Sequence, residues 1–101
     1  MADYVSGERR EENKWEKLKS DPIRLYFEEI KKSNAILVLN YDKKGIKNYV
    51  GGNTLIEIAF AHVLEKKIYL LNPIPEMPYS DEIHSMKPTI LNGNLDYIGE
   101  L

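Results

Sequence analysis

Two short apolar runs, at residues 35–39 and 67–71, constrain the fold of this chain more than any other feature. Each run is partly β-branched and bounded by polar residues, which is typical of a strand buried on both faces of a sheet. Between them, residues 54–66 are apolar on nearly every side, as in a helix that is mostly buried. The order strand, helix, strand predicts a βαβ unit whose two strands are parallel.

A second helix is predicted in front of the first strand. Ser20 or Asp21 can cap it, and Pro22 suits its first turn, where no amide hydrogen is needed. Its apolar side chains recur at spacings of three and four and share one face: Ile23, Tyr26, Phe27 and Ile30. A short helix near residues 80–86 and a last strand near residues 89–91 complete a chain whose 101 residues allow one domain. The sequence therefore predicts an α/β fold with a short parallel sheet and flanking helices, in a flavodoxin-like or Rossmann-like three-layer architecture.

Residues 1–20 carry ten charges, five of each sign, and contain no apolar run that resembles an opening strand. We therefore interpret residues 1–19 as a charged arm or a loose helix. Residues 20–101 are interpreted as the single α/β domain, shortened at its N-terminus. A sheet without its opening strands has an exposed edge, and exposed edges tend to pair with another chain. We expect a homodimer or a higher homo-oligomer.

The charge and the residue types exclude several classes of partner. A net charge of −2 and a pI of about 5.7 argue against a sequence-independent nucleic-acid binder, which needs a basic face. No apolar run approaches the roughly 20 residues that span a bilayer, and the N-terminus lacks the apolar stretch of a signal peptide. Cysteine is absent and only two histidines are present, so we expect no metal site and no cofactor. The prediction is a cytoplasmic protein with neither a nucleic-acid nor a membrane partner.

Polar residues follow both predicted strands. Asn40 and Tyr41 come directly after the first strand, and Asn72 follows the second. The carboxyl ends of parallel strands meet at one edge of a sheet, and ligands bind in the crevice outside that edge. We therefore expect these three side chains to line a pocket. Tyr49, in the intervening loop, can stack on a ligand or cover the core.

A turn of small residues leads into the buried helix at the same edge. Gly51, Gly52 and Asn53 let a ligand approach the backbone closely, next to the free amides of the helix N-terminus. Glu57 is the one acidic residue inside the apolar block at residues 55–64 of this helix, and a carboxylate in such a place can act as a nucleophile or a base. An alternative stays open, because Thr54 and Glu57 also fit the capping box Thr-x-x-Glu. Glu57 would then satisfy only the helix's own amide.

Three segments together resemble one protein family: residues 33–41, 51–61 and 66–71, with the sequences SNAILVLNY, GGNTLIEIAFA and KKIYLL. In order and spacing they resemble the nucleoside 2-deoxyribosyltransferase superfamily, and most of all the archaeal-type members with an Asn-Tyr-x-Gly-Gly-Asn-Thr loop. The resemblance covers residues 20–95 and places Glu57 at the position of the family's nucleophile. It implies attack on the anomeric carbon of deoxyribose, a covalent glycosyl ester, and release of the sugar to water or to a second base. The ligand it implies is a nucleoside or nucleotide, bound without a cofactor.

The chain departs from the family pattern at three points. Family members usually open with a strand and a glycine-bearing turn, for which residues 1–20 show no counterpart. An aspartate that assists the leaving base corresponds to Tyr26, and an aspartate shortly before the nucleophile corresponds to Gly51. These departures leave a second interpretation open, that of a catalytically impaired nucleotide-binding or interaction module on the same fold. A third is a structural subunit that completes its sheet with a partner.

Overall fold

The computed structural model of the protein describes residues 4–6 and 21–96. Strands and helices alternate along the chain: β1 (Tyr4–Ser6), α1 (Pro22–Lys31), β2 (Ala35–Val38), α2 (Gly52–Val63), β3 (Lys67–Leu70), α3 (Ser80–Ser85) and β4 (Thr89–Ile90). None of the helices within these residues is long and apolar enough to cross a membrane.

The strands form one parallel sheet in the order β1-β2-β3-β4. Ile36 of β2 lies opposite Tyr4 of β1 on one side and Ile68 of β3 on the other. When strands follow one another across a parallel sheet, right-handed crossovers carry the connecting helices over the same face. The sheet and its helices confirm the predicted α/β class. The described helices supply one helical layer of the flavodoxin-like or Rossmann-like three-layer architecture.

The two central strands, β2 and β3, are buried on both faces apart from Lys67 at the start of β3, as their apolar runs predicted. One face carries Ile36 and Ile68, which pack in a cluster with Ile30 of α1, Ile58 of α2 and Ile83 of α3. The other face carries a second cluster of buried residues: Ala35, Leu37, Tyr69 and Leu91. Successive residues of a strand point to opposite faces, so both clusters draw on the same short segments.

The first helix begins as predicted at its cap. The side chain of Asp21 accepts a hydrogen bond from the amide of Arg24 at 3.1 Å, and Pro22 occupies the first turn. Phe27 meets Phe60 of α2 edge-to-face, with ring centroids 5.2 Å apart. This contact fixes α1 beside the helix that carries Glu57.

The opening strand corrects one expectation. Residues 1–20 were expected to contain no strand, yet Tyr4–Ser6 pairs in parallel with β2, and Leu39 donates a further hydrogen bond to the Ser6 carbonyl at 3.3 Å. Three residues are too few to show periodicity, and β1 forms because β2 offers it a template. The edge strand of the sheet is therefore present. The remainder of the predicted arm, residues 1–3 and 7–19, lies outside the described residues.

Candidate functional site

Glu57 lies in the second turn of α2 and not at its cap. The helix begins after Gly51, whose φ of −78° and ψ of 172° are extended, and no side chain caps it. Thr54 is therefore already inside the helix, and the capping-box interpretation of Thr54 and Glu57 is wrong. Gly52 and Asn53 form the first turn, so the helix starts two residues earlier than its apolar pattern indicates. The Glu57 side chain is fully buried.

Two hydroxyl groups of β1 hold the Glu57 carboxylate. Ser6 Oγ donates to Glu57 Oε1 at 2.7 Å, and the Tyr4 hydroxyl donates to Glu57 Oε2. Tyr4 and Ser6 are two residues apart in a strand, so their side chains point to the same face of the sheet. Hydrogen bonds to a charged acceptor are the strong ones, and they replace part of the hydration that a buried carboxylate loses. The edge strand thus orients both oxygens of one carboxylate.

A third hydroxyl extends this cluster toward the start of α2. Ser6 Oγ lies 3.1 Å from Thr54 Oγ1, so the two hydroxyls share a hydrogen bond. Thr54 stands one turn before Glu57 on the same helix and is half-buried. A path of hydroxyl groups therefore leads from the carboxylate toward the beginning of the helix. We call Tyr4, Ser6, Thr54 and Glu57 the hydroxyl–carboxylate cluster.

Asn40 and Asn72 lie at the carboxyl ends of their strands, as expected, and they bond to each other. Asn40 is buried, and its Nδ2 donates to the carbonyl oxygens of Asn72 and Pro73 at 2.9 and 3.2 Å. The Asn40 side chain is therefore occupied in joining two strand ends. This contact positions the edge of the sheet and leaves little of Asn40 for a ligand.

The loop before α2 brings Tyr49 and Gly51 together. A Cβ atom at Gly51 would lie only 3.3 Å from Cε2 of Tyr49, so the absence of a side chain at Gly51 lets the aromatic ring pack there. Lys44 Nζ lies 5.7 Å from the centroid of the same ring. By contrast, no atom would come within 4 Å of a Cβ at Gly52. Tyr49 therefore covers one side of the turn and leaves room at Gly52.

The remaining predicted pocket residues are open to solvent. Tyr41 is half exposed, and Gly52 and Asn53 are exposed at the start of α2. The predicted site residues therefore differ in exposure. Glu57 and Asn40 are buried, whereas Tyr41 and Asn53 face solvent.

Three residues of this region were not found by sequence reasoning: Tyr4, Ser6 and Tyr79. The Tyr79 hydroxyl donates to the Val50 carbonyl at 2.5 Å and so anchors the chain just before Gly51. Burial raises the pKa of the Tyr79 phenol, and the charge of an ionised Tyr49 raises it further. The only local signal for Tyr4 and Ser6 is the alternation Tyr-Val-Ser, which places two hydroxyls on one face of any strand.

Two further findings bear on the chemistry of this site. Among residues 4–6 and 21–96, no group of three or more His, Cys, Asp or Glu side chains is placed to hold a metal ion. Comparison with family models, with curated proteins and with solved structures yields no match. Functional inference therefore rests on the geometry of the hydroxyl–carboxylate cluster and on the sequence resemblance.

Proposed function

We propose that the protein cleaves or exchanges the N-glycosidic bond of a deoxyribonucleoside or its 5′-monophosphate, with Glu57 as the nucleophile. The observation that carries this proposal is the single carboxylate gripped by the Tyr4 and Ser6 hydroxyls. It stands behind an exposed turn of small residues at the carboxyl edge of a parallel sheet, where such folds bind ligands. The resemblance of residues 33–41, 51–61 and 66–71 to the nucleoside 2-deoxyribosyltransferase superfamily supports the same chemistry.

The reaction would proceed in two displacements. A Glu57 oxygen attacks the anomeric carbon, the bond from that carbon to the base nitrogen breaks, and the base leaves with the bonding electrons and takes up a proton from water. The sugar is then held as an ester of Glu57. Attack by water on the anomeric carbon releases deoxyribose and restores the carboxylate. Attack by the nitrogen of a second base instead yields a new nucleoside.

The hydroxyl groups of β1 have a definite part in this scheme. Hydrogen bonds from Tyr4 and Ser6 fix the rotamer of Glu57, so that the attacking oxygen needs no reorganisation at the moment of reaction. In the second displacement the same donors stabilise the departing carboxylate. Tyr4 and Ser6 are therefore positioning residues, and Gly51, Gly52 and Asn53 with Tyr41 and Tyr49 form the approach to them.

The full burial of Glu57 favours a second candidate. Every hydrogen bond described above for this carboxylate is made within the protein, and the side chain has no exposed surface. In a nucleotide-binding or interaction module that has lost catalysis, such a carboxylate would have a structural role: its hydrogen bonds would hold β1 against α2. Catalysis instead requires the turn at residues 51–53 to admit the sugar to Glu57.

One experiment separates the two candidates. The protein is incubated with each deoxyribonucleoside and each 5′-monophosphate, and free base is measured together with the intact mass of the protein. We expect release of base and a covalent sugar adduct, both reduced on the order of a thousandfold or more by Glu57→Gln. The matched control is Glu82→Gln on the exposed surface of α3, which should leave release unchanged. Binding without release, or release that survives Glu57→Gln, excludes the nucleophile.

The proposal extends to assembly and location. Within residues 4–6 and 21–96 the sheet is open, and its edge strands β1 and β4 have three and two residues. Open edges pair readily, which supports a homodimer or a higher homo-oligomer in the cytoplasm, where deoxynucleotides are metabolised. Sedimentation velocity at working concentration tests this, and a monomer at all concentrations would count against it.

A further inference from the structure

A cavity of about 340 Å³ lies at the amino edge of the sheet, at the end of α2 remote from Gly51. It opens between the α2–β3 connection and the α3–β4 connection. Its walls include four charged residues and two apolar ones: Glu65, Lys66, Lys67, Lys87, Ile68 and Met86. The rule that ligands bind at the carboxyl edge of parallel strands does not predict a site here, so the cavity calls for its own explanation.

The charge around this cavity is positive. Lys66, Lys67 and Lys87 stand against the single carboxylate of Glu65. The ion pairs described in residues 21–96 join Arg24 to Asp21 and Lys31 to Glu28, within α1 and its cap, and neither includes a residue of the cavity wall. Within the described part of the chain, neither Lys66 nor Lys87 forms an ion pair. Their charges are therefore available to an anion.

These lysines are not needed to cap the helices. The amide of Lys66 donates to the Ala61 carbonyl at 2.8 Å, and the amide of Glu65 donates to the His62 carbonyl at 3.1 Å. This is the paired backbone pattern of a Schellman motif, which satisfies the last carbonyl groups of α2. Lysine side chains near the C-terminal end of a helix often donate hydrogen bonds to its last carbonyl groups. Here backbone amides already donate to those of α2.

Two residues in the cavity wall hold a left-handed backbone conformation. Glu65 has φ 58° and Lys87 has φ 53°, each just after a helix cap, where glycine is the usual residue because it has no Cβ to clash. A charged side chain at such a position costs stability relative to glycine. Strained positions of this kind concentrate at binding sites. Lys44, Asn48 and Asn92 share this conformation outside the cavity wall, so it does not mark a site by itself; it shows that Glu65 and Lys87 occupy costly backbone positions at the two helix ends beside the cavity.

We propose that the cavity binds a small organic phosphate monoester. Its phosphate group lies between Lys66 and Lys87, and its apolar part contacts Met86 and Ile68. A phosphate monoester carries a charge of about −1.5 to −2 near pH 7, which matches Lys66 and Lys87, neither of which has an ion-pair partner among the described residues. The cavity volume is within the range of small-molecule sites, about 300–1,000 Å³. This site is separate from Glu57 and does not depend on the function proposed for it.

The test uses phenyl phosphate as the probe, titrated into ¹⁵N-labelled protein and followed by amide chemical shifts. We expect shifts confined to residues 62–69 and 86–90. Inorganic phosphate lacks the apolar ring and phenol lacks the phosphate group, so each should bind at least tenfold more weakly than phenyl phosphate. Lys66→Ala should weaken phenyl phosphate binding by roughly tenfold, the effect of one charge-assisted contact.

Lys87→Gly provides the sharper variant, because it relieves a left-handed residue while removing a charge. It should raise the melting temperature and weaken phenyl phosphate binding by roughly tenfold. The matched control is Lys44→Gly, since Lys44 also has a positive φ, 56°, and lies in the loop after β2, outside the cavity wall. It should raise the melting temperature and leave binding unchanged. Equal losses in both variants, or shifts centred elsewhere, would overturn the proposal.

Discussion

Asn40 and Asn72 bind each other's backbone reciprocally. Asn40 Oδ1 accepts from the amide of Asn72 at 2.9 Å, and Asn72 Nδ2 donates to the carbonyl of Asn40 at 3.0 Å. The pair acts as a clasp across the carboxyl ends of β2 and β3, where the regular ladder ends. It holds at a fixed spacing the two loops that must frame any ligand at this edge.

Removal of the clasp should destabilise the protein. Asn40→Ala removes a buried side chain and leaves the Asn72 amide and the carbonyl groups of Asn72 and Pro73, which are partly buried, without their partner. We expect the free energy of unfolding in urea to fall by about 2–3 kcal/mol, because each unsatisfied buried group costs about 1–3 kcal/mol. Asn53→Ala is the control. Asn53 is exposed, and its replacement by alanine should change the free energy of unfolding by no more than about 0.5 kcal/mol. Equal effects of the two substitutions would refute the clasp.

The bond from Tyr4 to Glu57 predicts a measurable coupling. Tyr4→Phe removes one donor from a buried carboxylate and should cost about 1–3 kcal/mol of unfolding free energy. In the Glu57→Gln background the same change should cost less, because the charged acceptor is already gone. A double-mutant cycle in urea measures the difference, for which we expect about 1–2 kcal/mol. Additive effects of the two substitutions would show that the hydroxyl does not act on the carboxylate.

A parallel test applies to the second donor. Ser6→Ala should destabilise the protein by about 1–2 kcal/mol, since both Glu57 and Thr54 lose a hydroxyl partner. Ser85→Ala is matched in chemistry but exposed, at the end of α3, and should have an effect below about 0.5 kcal/mol. If Glu57 is the nucleophile, Ser6→Ala should also slow base release more than it weakens substrate binding. A change in binding alone would limit Ser6 to a structural role.

Tyr79 makes stability depend on alkaline pH. Its pKa is raised above the ordinary value of 10.0 in the folded state, by burial and then by the charge of Tyr49. The unfolded chain therefore loses the phenolic proton first as the pH rises. The stabilisation is complete below pH 10 and is lost as the pH climbs through the folded-state pKa.

The variant Tyr79→Phe isolates this contribution. It removes the hydrogen bond to Val50 and should cost about 1 kcal/mol at pH 7. The difference from wild type should remain constant up to about pH 9 and shrink above pH 10, as measured by urea unfolding at each pH. Tyr41→Phe, at an exposed tyrosine, is the control and should change the free energy of unfolding at pH 7 by less than about 0.5 kcal/mol. A difference that grows with pH would reverse the sign and contradict the assignment.

The neighbouring glycines Gly51 and Gly52 should respond in opposite directions to alanine. At Gly51 the new Cβ meets the Tyr49 ring at 3.3 Å, so the ring must shift and stability should fall by about 0.5–1 kcal/mol. At Gly52 a Cβ meets nothing within 4 Å, and alanine in the first turn of α2 should raise stability by about 0.5 kcal/mol. Thermal unfolding of both variants checks the contrast. If Gly52 borders the sugar, its alanine variant should also lose activity despite its gain in stability.

The sequence predicted the parts of the fold that local patterns encode. Continuous apolar runs predicted β2 and β3 because both faces of these strands are buried. Pro22 and Asp21 predicted the start of α1, because a cap and a first-turn proline act within a few residues. The sequence does not predict β1, because three residues are too few to show an alternating pattern. The strand is stabilised by its pairing with β2.

The candidate site was predicted in position but not in its contacts. Glu57 was singled out because an acid within an apolar helix is unusual, yet its partners Tyr4 and Ser6 lie more than fifty positions away in the chain. No local pattern reports a contact over that separation. The capping-box prediction was wrong because α2 begins after Gly51, three residues before Thr54. Whether Tyr41, Gly52 and Asn53 contact a substrate remains a prediction.

The placement of β1 has a practical consequence for work with this protein. Tyr4 and Ser6 donate to Glu57 from a strand of only three residues, so cleavage of the chain at or near residues 4–6 acts directly on the site. A preparation that has lost these residues would keep β2, β3 and their helices but leave the carboxylate without its two hydroxyls. The presence of intact residues 4–6 should therefore be verified by mass before any assay is judged negative.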